Sequence, residues 1–353
     1  MMSEIKITSI QQFVEQVAIL GLKENHTRFF RGHSDSEYKM IPSIYRDNSL
    51  INNEDRIVKD VLTECAEYFP PHEMLFDKLV RMQHYDCPTR LLDISYNALV
   101  GLYFAVNKND GTMNSQKCHQ ENIFGDDLKD GEVIILDIPT NKIKYQDSDT
   151  VAILSALSLQ KIDFDIGFYK KIAEDNFLNN LDIARKKFKN NPSLLSNLTL
   201  SSERLESIDE DIFNRNCGEY NESYFNSINN ELNGIAEIIT LLNDVRKDKP
   251  YFLPHMDYRD VNQVICVKSK ANNRRIERQQ GAFLIFGIDE VKSRFSKVEA
   301  QKDWSIHKLI IDKNSKKEIL KNLERVGISR QTLFPELDSQ ATHIISRYKE
   351  QLK

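Results

Sequence analysis

The sequence predicts an α+β fold: a small, curved, mostly antiparallel sheet flanked by helices, with a helical insertion in mid-chain. Three observations carry this. Apolar runs that read as strands fall at 28–33, 132–139, 261–269, 281–288 and 307–313, bounded by Gly, Pro, Asn or Asp. Apolar residues at helical spacing fill 54–82 and 150–246, and the second stretch contains no strand pattern. Strand signals therefore lie on both sides of a helical block, which divides the chain into 1–149, 150–246 and 247–353, the middle part expected to be peripheral.

The elements follow in order. TSIQQFVEQVAILG at 8–21 is a helix that Ser9 can cap, with Phe13, Val17 and Leu20 on one face and Gly21 at its end. RFFRGH at 28–33 is a compact strand. In YKMIPSIYR at 38–46, Pro42 cannot donate to a ladder, so the segment is an edge strand or a loop. Pro70-Pro71 divides 54–82 into two helices. QHYDCPTRLLDIS at 83–95 is a loop around Cys87-Pro88 that leads into a buried LLDI and should face a cleft. ALVGLYFAV at 98–106 suits either a helix or a buried strand. EVIILDIP at 132–139 is a strand stopped by Pro139. Sheet signals resume after the insertion with YFLP at 251–254, and KKEILKNLERVG forms a late helix ending at Gly327.

Composition narrows the function classes. With 48 basic and 53 acidic residues the net charge is -5, which argues against a polycation built to hold duplex DNA. No run of apolar residues is long enough to span a bilayer, and the N-terminus lacks a signal-peptide pattern, so a cytoplasmic protein without membrane contact is expected. The five cysteines, at 65, 87, 118, 217 and 266, show no metal-ligand spacing, which predicts free thiols and no metal. GxxxxGK[ST], HExxH and GxSxG are absent, removing support for P-loop, zinc-protease and α/β-hydrolase chemistry.

Polar residues concentrate beside the strand signals. Arg31 sits in an apolar strand and is followed by Gly32, which lets a backbone or a phosphate approach closely. Its planar fork suits a diphosphate or a carboxylate. Gln83, His84, Thr89, Arg90, Asp93 and Ser95 gather donors and acceptors between two apolar stretches, a density costly to bury without a ligand or mutual pairing. Two readings stay open: a ligand site, or a self-satisfied turn in which Asp93 receives Arg31 or Arg90. The run KSKANNRRIERQQG at 268–281 is either a grip for nucleic-acid phosphates or a solvated connection.

Phe30-Arg31-Gly32, Pro42-Ser43 with Arg46, Gln83-His84-Tyr85, Pro88-Thr89-Arg90-Leu91-Leu92-Asp93, Tyr103-Phe104-Ala105 and the stretch 278–283 resemble, in type and order, the FRG domain family. The likeness spans roughly 28–139 and 250–343. It departs at Asp86, where the family usually has glycine, and at Ile94, where tryptophan is usual.

A fainter resemblance is to the split sheet of ADP-ribosyltransferases. It implies NAD as cofactor and a role as a bacterial effector or stress protein, with a non-catalytic ligand- or partner-sensing module as the alternative. The resemblance assigns Arg31, Gln280 and Glu277 to catalysis, the last two as candidates for the carboxylate position of a late strand. It also places Gly32 and Tyr103 near the cofactor, and the polar residues beside the strands add His33, Gln83, His84, Thr89, Arg90, Asp93 and Ser95 as cofactor-binding candidates. A nucleotide ligand is the implied partner, and the acceptor, protein or nucleic acid, stays open. Arg31, His33, the 83–95 loop and 278–283 should then meet in one cleft.

Overall fold

A computed structural model describes residues 6–107, 129–190, 218–270 and 273–337, with 340, 341, 344, 345 and 348. Its centre is a seven-stranded sheet built from β1 (His26–His33), β2 (Leu91–Ser95), β3 (Gly131–Pro139), β4 (Lys144–Tyr145), β5 (Val264–Lys268), β6 (Gly281–Phe286) and β9 (Ser305–Ile311). Their spatial order is β4-β5-β6-β2-β1-β3-β9. Every pairing is antiparallel except β4 with β5, so the α+β, mostly antiparallel expectation holds. A separate ribbon pairs β7 (Ile288–Asp289) with β8 (Val291–Phe295).

One seam in the sheet is weak. β1 pairs with β3 along its whole length, from His26 opposite Pro139 to His33 opposite Glu132. β2 pairs with β6 from Leu91 opposite Ile285 to Ser95 opposite Gly281. Between β1 and β2, by contrast, the register holds one pair, Phe30 with Ser95. Beyond it the two halves of the sheet diverge as a fork.

Period-two alternation sorts the core. Phe29, Leu92, Ile94, Ile134, Leu136, Leu284 and Phe286 fill one face. On the other, Phe30, Val133 and Ile135 pack under α4 (Ala98–Val106), while Leu91, Phe283 and Ile285 pack under the helices of the middle segment. The run at 98–106 is thus a helix, started by Asn97, whose side chain accepts from Leu99 N. It lies so close to β1 that a Cβ on Gly32 would stand 2.0 Å from the Gly101 carbonyl oxygen. Helix packing, not phosphate approach, explains this glycine.

The other described helices of more than one turn are α1 (Ile10–Ile19), α2 (Glu54–Glu64), α3 (Leu75–His84), α5 (Asp149–Ala156), α6 (Gly167–Asn190), α7 (Gly218–Leu232), α8 (Ala236–Asp248), α9 (Arg274–Gln279) and α10 (Lys316–Arg325). Ser9 caps α1 and the proline break separates α2 from α3, as the sequence implies. The middle segment is helical where described, and 191–217 lies outside the described residues. Its two ends are not peripheral. Val151, Ile153 and Leu154 of α5 and Ile238, Leu241 and Leu242 of α8 are buried in the cluster that covers Phe283 and Ile285 of the sheet. The cause is α5 itself, whose apolar residues surround its axis and leave no face for water.

Of the two readings of 38–46 the loop holds, closed by a turn at Ser43–Tyr45. Two further expectations are corrected. YFLP forms no strand, and Tyr251 is 98 % exposed. The late strand begins only at Gly281, because Asn273 caps α9 and Gln280 ends it in the left-handed conformation at φ 47°. Among the described residues, no helix is long and apolar enough to cross a membrane.

Candidate functional site

The fork between β1 and β2 holds a cavity of about 620 Å³, within the range of small-molecule sites. One wall is β1, with Phe30, Arg31, Gly32 and His33; the opposite wall is β2 from Leu91 to Ser95. The 37–46 loop supplies Lys39, Ser43 and Arg46, the end of α3 supplies Gln83, His84, Asp86 and Cys87, and α9 supplies Arg275, Ile276 and Gln279. Phe104 and Phe283 add aromatic surface. The expectation that Arg31, His33, the 83–95 loop and 278–283 share one cleft is therefore met at each segment.

Arg31 spans the fork. Its Nη1 donates to the Asp93 carbonyl oxygen at 2.6 Å and its Nε to His33 Nε2 at 3.0 Å, leaving Nη2 unbonded among the described residues. Burial pulls its guanidinium down to about 10; Asp93 opposes the shift and the nearby Arg46 adds to it. Among the described residues Arg46 spends only Nε, on the Ile41 carbonyl oxygen at 3.2 Å. Two guanidinium groups in mutual electrostatic reach thus face one cavity with donors to spare, an arrangement suited to a multiply charged anion.

A second group fixes Asp93. Thr89 Oγ1 donates to Gln83 Oε1, which orients the amide so that Nε2 donates to Asp93 Oδ2 at 2.6 Å. Oδ1 has no bonded donor among the described residues, and the Asp93 side chain is exposed to the cavity. His84 is held neutral. Asn273 presents Oδ1 to Arg275 N, so its Nδ2 donates to His84 Nδ1 at 2.8 Å, and burial pushes the imidazole down to about 4 against the pull of Asp93. Cys87 lies in the cavity as a protonated thiol, pushed up to about 11 by burial. Cys65, Cys87 and Cys266 are free; Cys118 and Cys217 lie outside the described residues. Among the described residues no three His, Cys, Asp or Glu side chains cluster as metal ligands would.

The other candidates line no part of this site or, in the case of Ser95, line it with the hydroxyl already bonded. Arg90 is fully buried, donating to Glu54 at 3.0 and 2.5 Å and to the Phe286 carbonyl oxygen at 3.1 Å, and Lys292 Nζ stands 3.1 Å from the same Glu54. Arg90 does not line the cavity and does not pair with Asp93. Thr89 acts only through Gln83. The Ser95 hydroxyl is spent on the Gln279 carbonyl oxygen at 2.7 Å. Tyr103 faces the core beneath α4, where Asn107 donates to its hydroxyl, and the neighbouring Phe104 reaches the cavity instead. Glu277 and Gln280 do not line the cavity. They were placed on a strand that is in fact helix α9, whose turn aims Ile276 and Gln279 inward.

Sequence reasoning named Arg46 and Phe104 only within motifs and Arg275 and Gln279 only within longer stretches, and it missed Lys39. For Arg46 the signal was available: Pro42 forces the loop that brings it over β1. Asp86, at the family's glycine position, has φ 61°, so the backbone does require a residue that tolerates the left-handed region.

No curated protein and no solved structure matches the chain. Residues 26–113 match the family model of the FRG domain, a span that runs from the first residue of β1 through the 37–46 loop, α3, β2 and α4. It holds both walls of the fork, the Arg31 and Arg46 guanidiniums and Asp93, while α9 and β6 lie beyond it. Residues 26–113 of the chain thus match the FRG domain, and they supply most of the cavity wall.

Proposed function

We propose that the cavity binds a nucleotide carrying a diphosphate, of the NAD kind, and that Arg31 and Arg46 hold the phosphates. The observation that carries this reading is the pair of guanidinium groups on one cavity, Arg31 bridging the fork and Arg46 opposite it, each with unspent donors. Keeping like charges together in a partly dry site is costly without an anion between them. The aromatic surface of Phe104 and Phe283 supports a planar ring as the other half of the ligand. The volume is also in keeping with a ligand of that size.

In NAD the ligand would supply an activated glycosidic bond to nicotinamide. Asp93, oriented by Gln83 and Thr89, is then the carboxylate of the cavity walls best able to favour positive charge on the ribose. The transferase form of the reading therefore rests on Asp93 rather than on Glu277 or Gln280. Calorimetric titration with NAD and with ADP-ribose tests binding. Arg46→Ala should weaken it about tenfold or more, the worth of one charge-assisted contact, without loss of stability. Release of nicotinamide that Asp93→Asn abolishes would establish transfer or hydrolysis. Binding without release would leave a ligand-sensing module.

A further inference from the structure

The arginine that spans the fork is held from behind by two buried side chains, His33 and Glu132, with the exposed Lys308 beyond them. Arg31 Nε, which can only donate, stands 3.0 Å from His33 Nε2. Nε2 must therefore present its lone pair, and a neutral imidazole then carries its proton on Nδ1. Nδ1 stands 3.2 Å from Glu132 Oε1, and Glu132 Oε2 stands 3.0 Å from Lys308 Nζ. His33 is 4 % and Glu132 2 % exposed. The register explains the alignment: His33 lies directly opposite Glu132 across β1 and β3, and Lys308 lies on β9, the next strand over.

We propose that Glu132 is a positioning residue for ligand binding: it selects the His33 tautomer that accepts from Arg31, so the cavity loses affinity for a diphosphate when His33 is protonated. The proposal rests on the diphosphate reading of the cavity. An imidazolium has a proton on both nitrogens, so its Nε2–H would oppose the Arg31 Nε–H and release the guanidinium from its bridging position. Simple charge addition forecasts the reverse, since a new cation beside an anion site tightens binding. The sign of the pH dependence separates the two.

The groups around His33 set where this happens. Arg31 on the same strand and Arg46 from the 43–46 turn disfavour its charge, and Glu132 on β3 favours it; with burial the leading cause, the imidazole sits below its ordinary value. The Tyr38 ring lies 6.4 Å away, Asp35 is paired with Lys129, and Lys316 of α10 donates to the Ser34 carbonyl oxygen. Lys308 acts through Glu132.

The test uses the full chain and NAD, whose diphosphate does not titrate between about pH 7.5 and about pH 5. Nitrogen NMR of histidine-labelled protein, with His33→Gln for assignment, should show the Nδ1–H tautomer at neutral pH without ligand. NAD affinity should fall about tenfold as His33 is protonated, and Glu132→Gln should lower it at neutral pH. Lys308→Met removes a cation outside the cavity. It should leave neutral-pH affinity unchanged and move the His33 midpoint and the loss of affinity together to higher pH, and it serves if the Glu132 variant does not fold. An Nε2–H tautomer overturns the proposal, as does affinity that rises or stays level on acidification, or a His33 midpoint that moves without the affinity curve. If wild-type protein fails to bind NAD at neutral pH, the ligand reading falls and the affinity half of the proposal with it. The tautomer is still decided by NMR alone.

Discussion

Replacing Glu54 with glutamine should be far more damaging than removing Lys292, although both side chains are buried in the same cluster. Arg90 and Lys292 are 0 % exposed and share one carboxylate, Glu54, which is itself 1 % exposed. The triplet sums to one positive charge. Glu54→Gln strips the counter-charge from two buried cations at once, and breaking a buried pair in this way costs about 3–5 kcal/mol. Lys292→Met leaves the doubly bonded Arg90–Glu54 pair intact and neutral. It removes a donor from the Gln160 carbonyl oxygen, a cost of about 1–3 kcal/mol that relief of the buried ammonium partly offsets. Chemical denaturation at neutral pH, read from midpoint and slope, should separate the variants by about 2–3 kcal/mol.

A pH series adds an independent check of sign. Burial lowers the Lys292 ammonium below its ordinary value. The unfolded chain therefore holds the proton to higher pH than the folded one, and wild-type stability rises as pH climbs through that window; Lys292→Met should flatten the rise. Equal destabilisation by the two variants would refute the charge arithmetic. A folded Arg90→Met protein that loses NAD affinity would return Arg90 to the site.

Other expectations follow from single contacts. Gln280→Gly should stabilise the protein by about 1 kcal/mol in thermal or chemical melts, because Gln280 holds a left-handed conformation that glycine adopts without strain, and cavity binding should not change. Gly32→Ala should destabilise by about 3 kcal/mol or prevent folding, since the added methyl would meet the α4 backbone rather than a side chain that can swing away. His84 should titrate near 4 by NMR, below the ordinary histidine range. The unfolded chain then binds the extra proton first, so this residue's contribution to stability is present at neutral pH and is lost as pH falls through that range.

The sheet was legible where a compact apolar stretch is bounded by turn residues, as in EVIILDIP and GAFLIF, and where paired phenylalanines precede a glycine, as in RFFRGH. It was not legible at Leu91–Ser95, where Asp93 interrupts the apolar run because the fork needs a polar residue there. The helix at 98–106 could not be told from a strand because it is apolar on nearly every side, buried between β1 and α10. The meeting of Arg31 with the 83–95 loop and α9 was readable as a concentration of polar groups next to strands. Their division of labour was not. Arg90 and Arg31 look alike in sequence, yet one is satisfied by Glu54 across 36 residues and the other reaches over the fork. Glu277 and Gln280 were misplaced by a local cause: the asparagine cap at Asn273 begins a helix that runs up to the first residue of the strand, so the strand does not extend back to them.

The central claim is that the fork between β1 and β2 is an anion site with Arg31 and Arg46 as its two clamps. The most direct measurement is a crystal structure of the full chain soaked with NAD. The diphosphate should be bonded to both guanidinium groups, between the β1 wall and the 37–46 loop, with a ring beside Phe104 or Phe283. Ligand density elsewhere on the surface, or a soaked crystal in which Arg31 and Arg46 contact no ligand while NAD binds in solution, would contradict it.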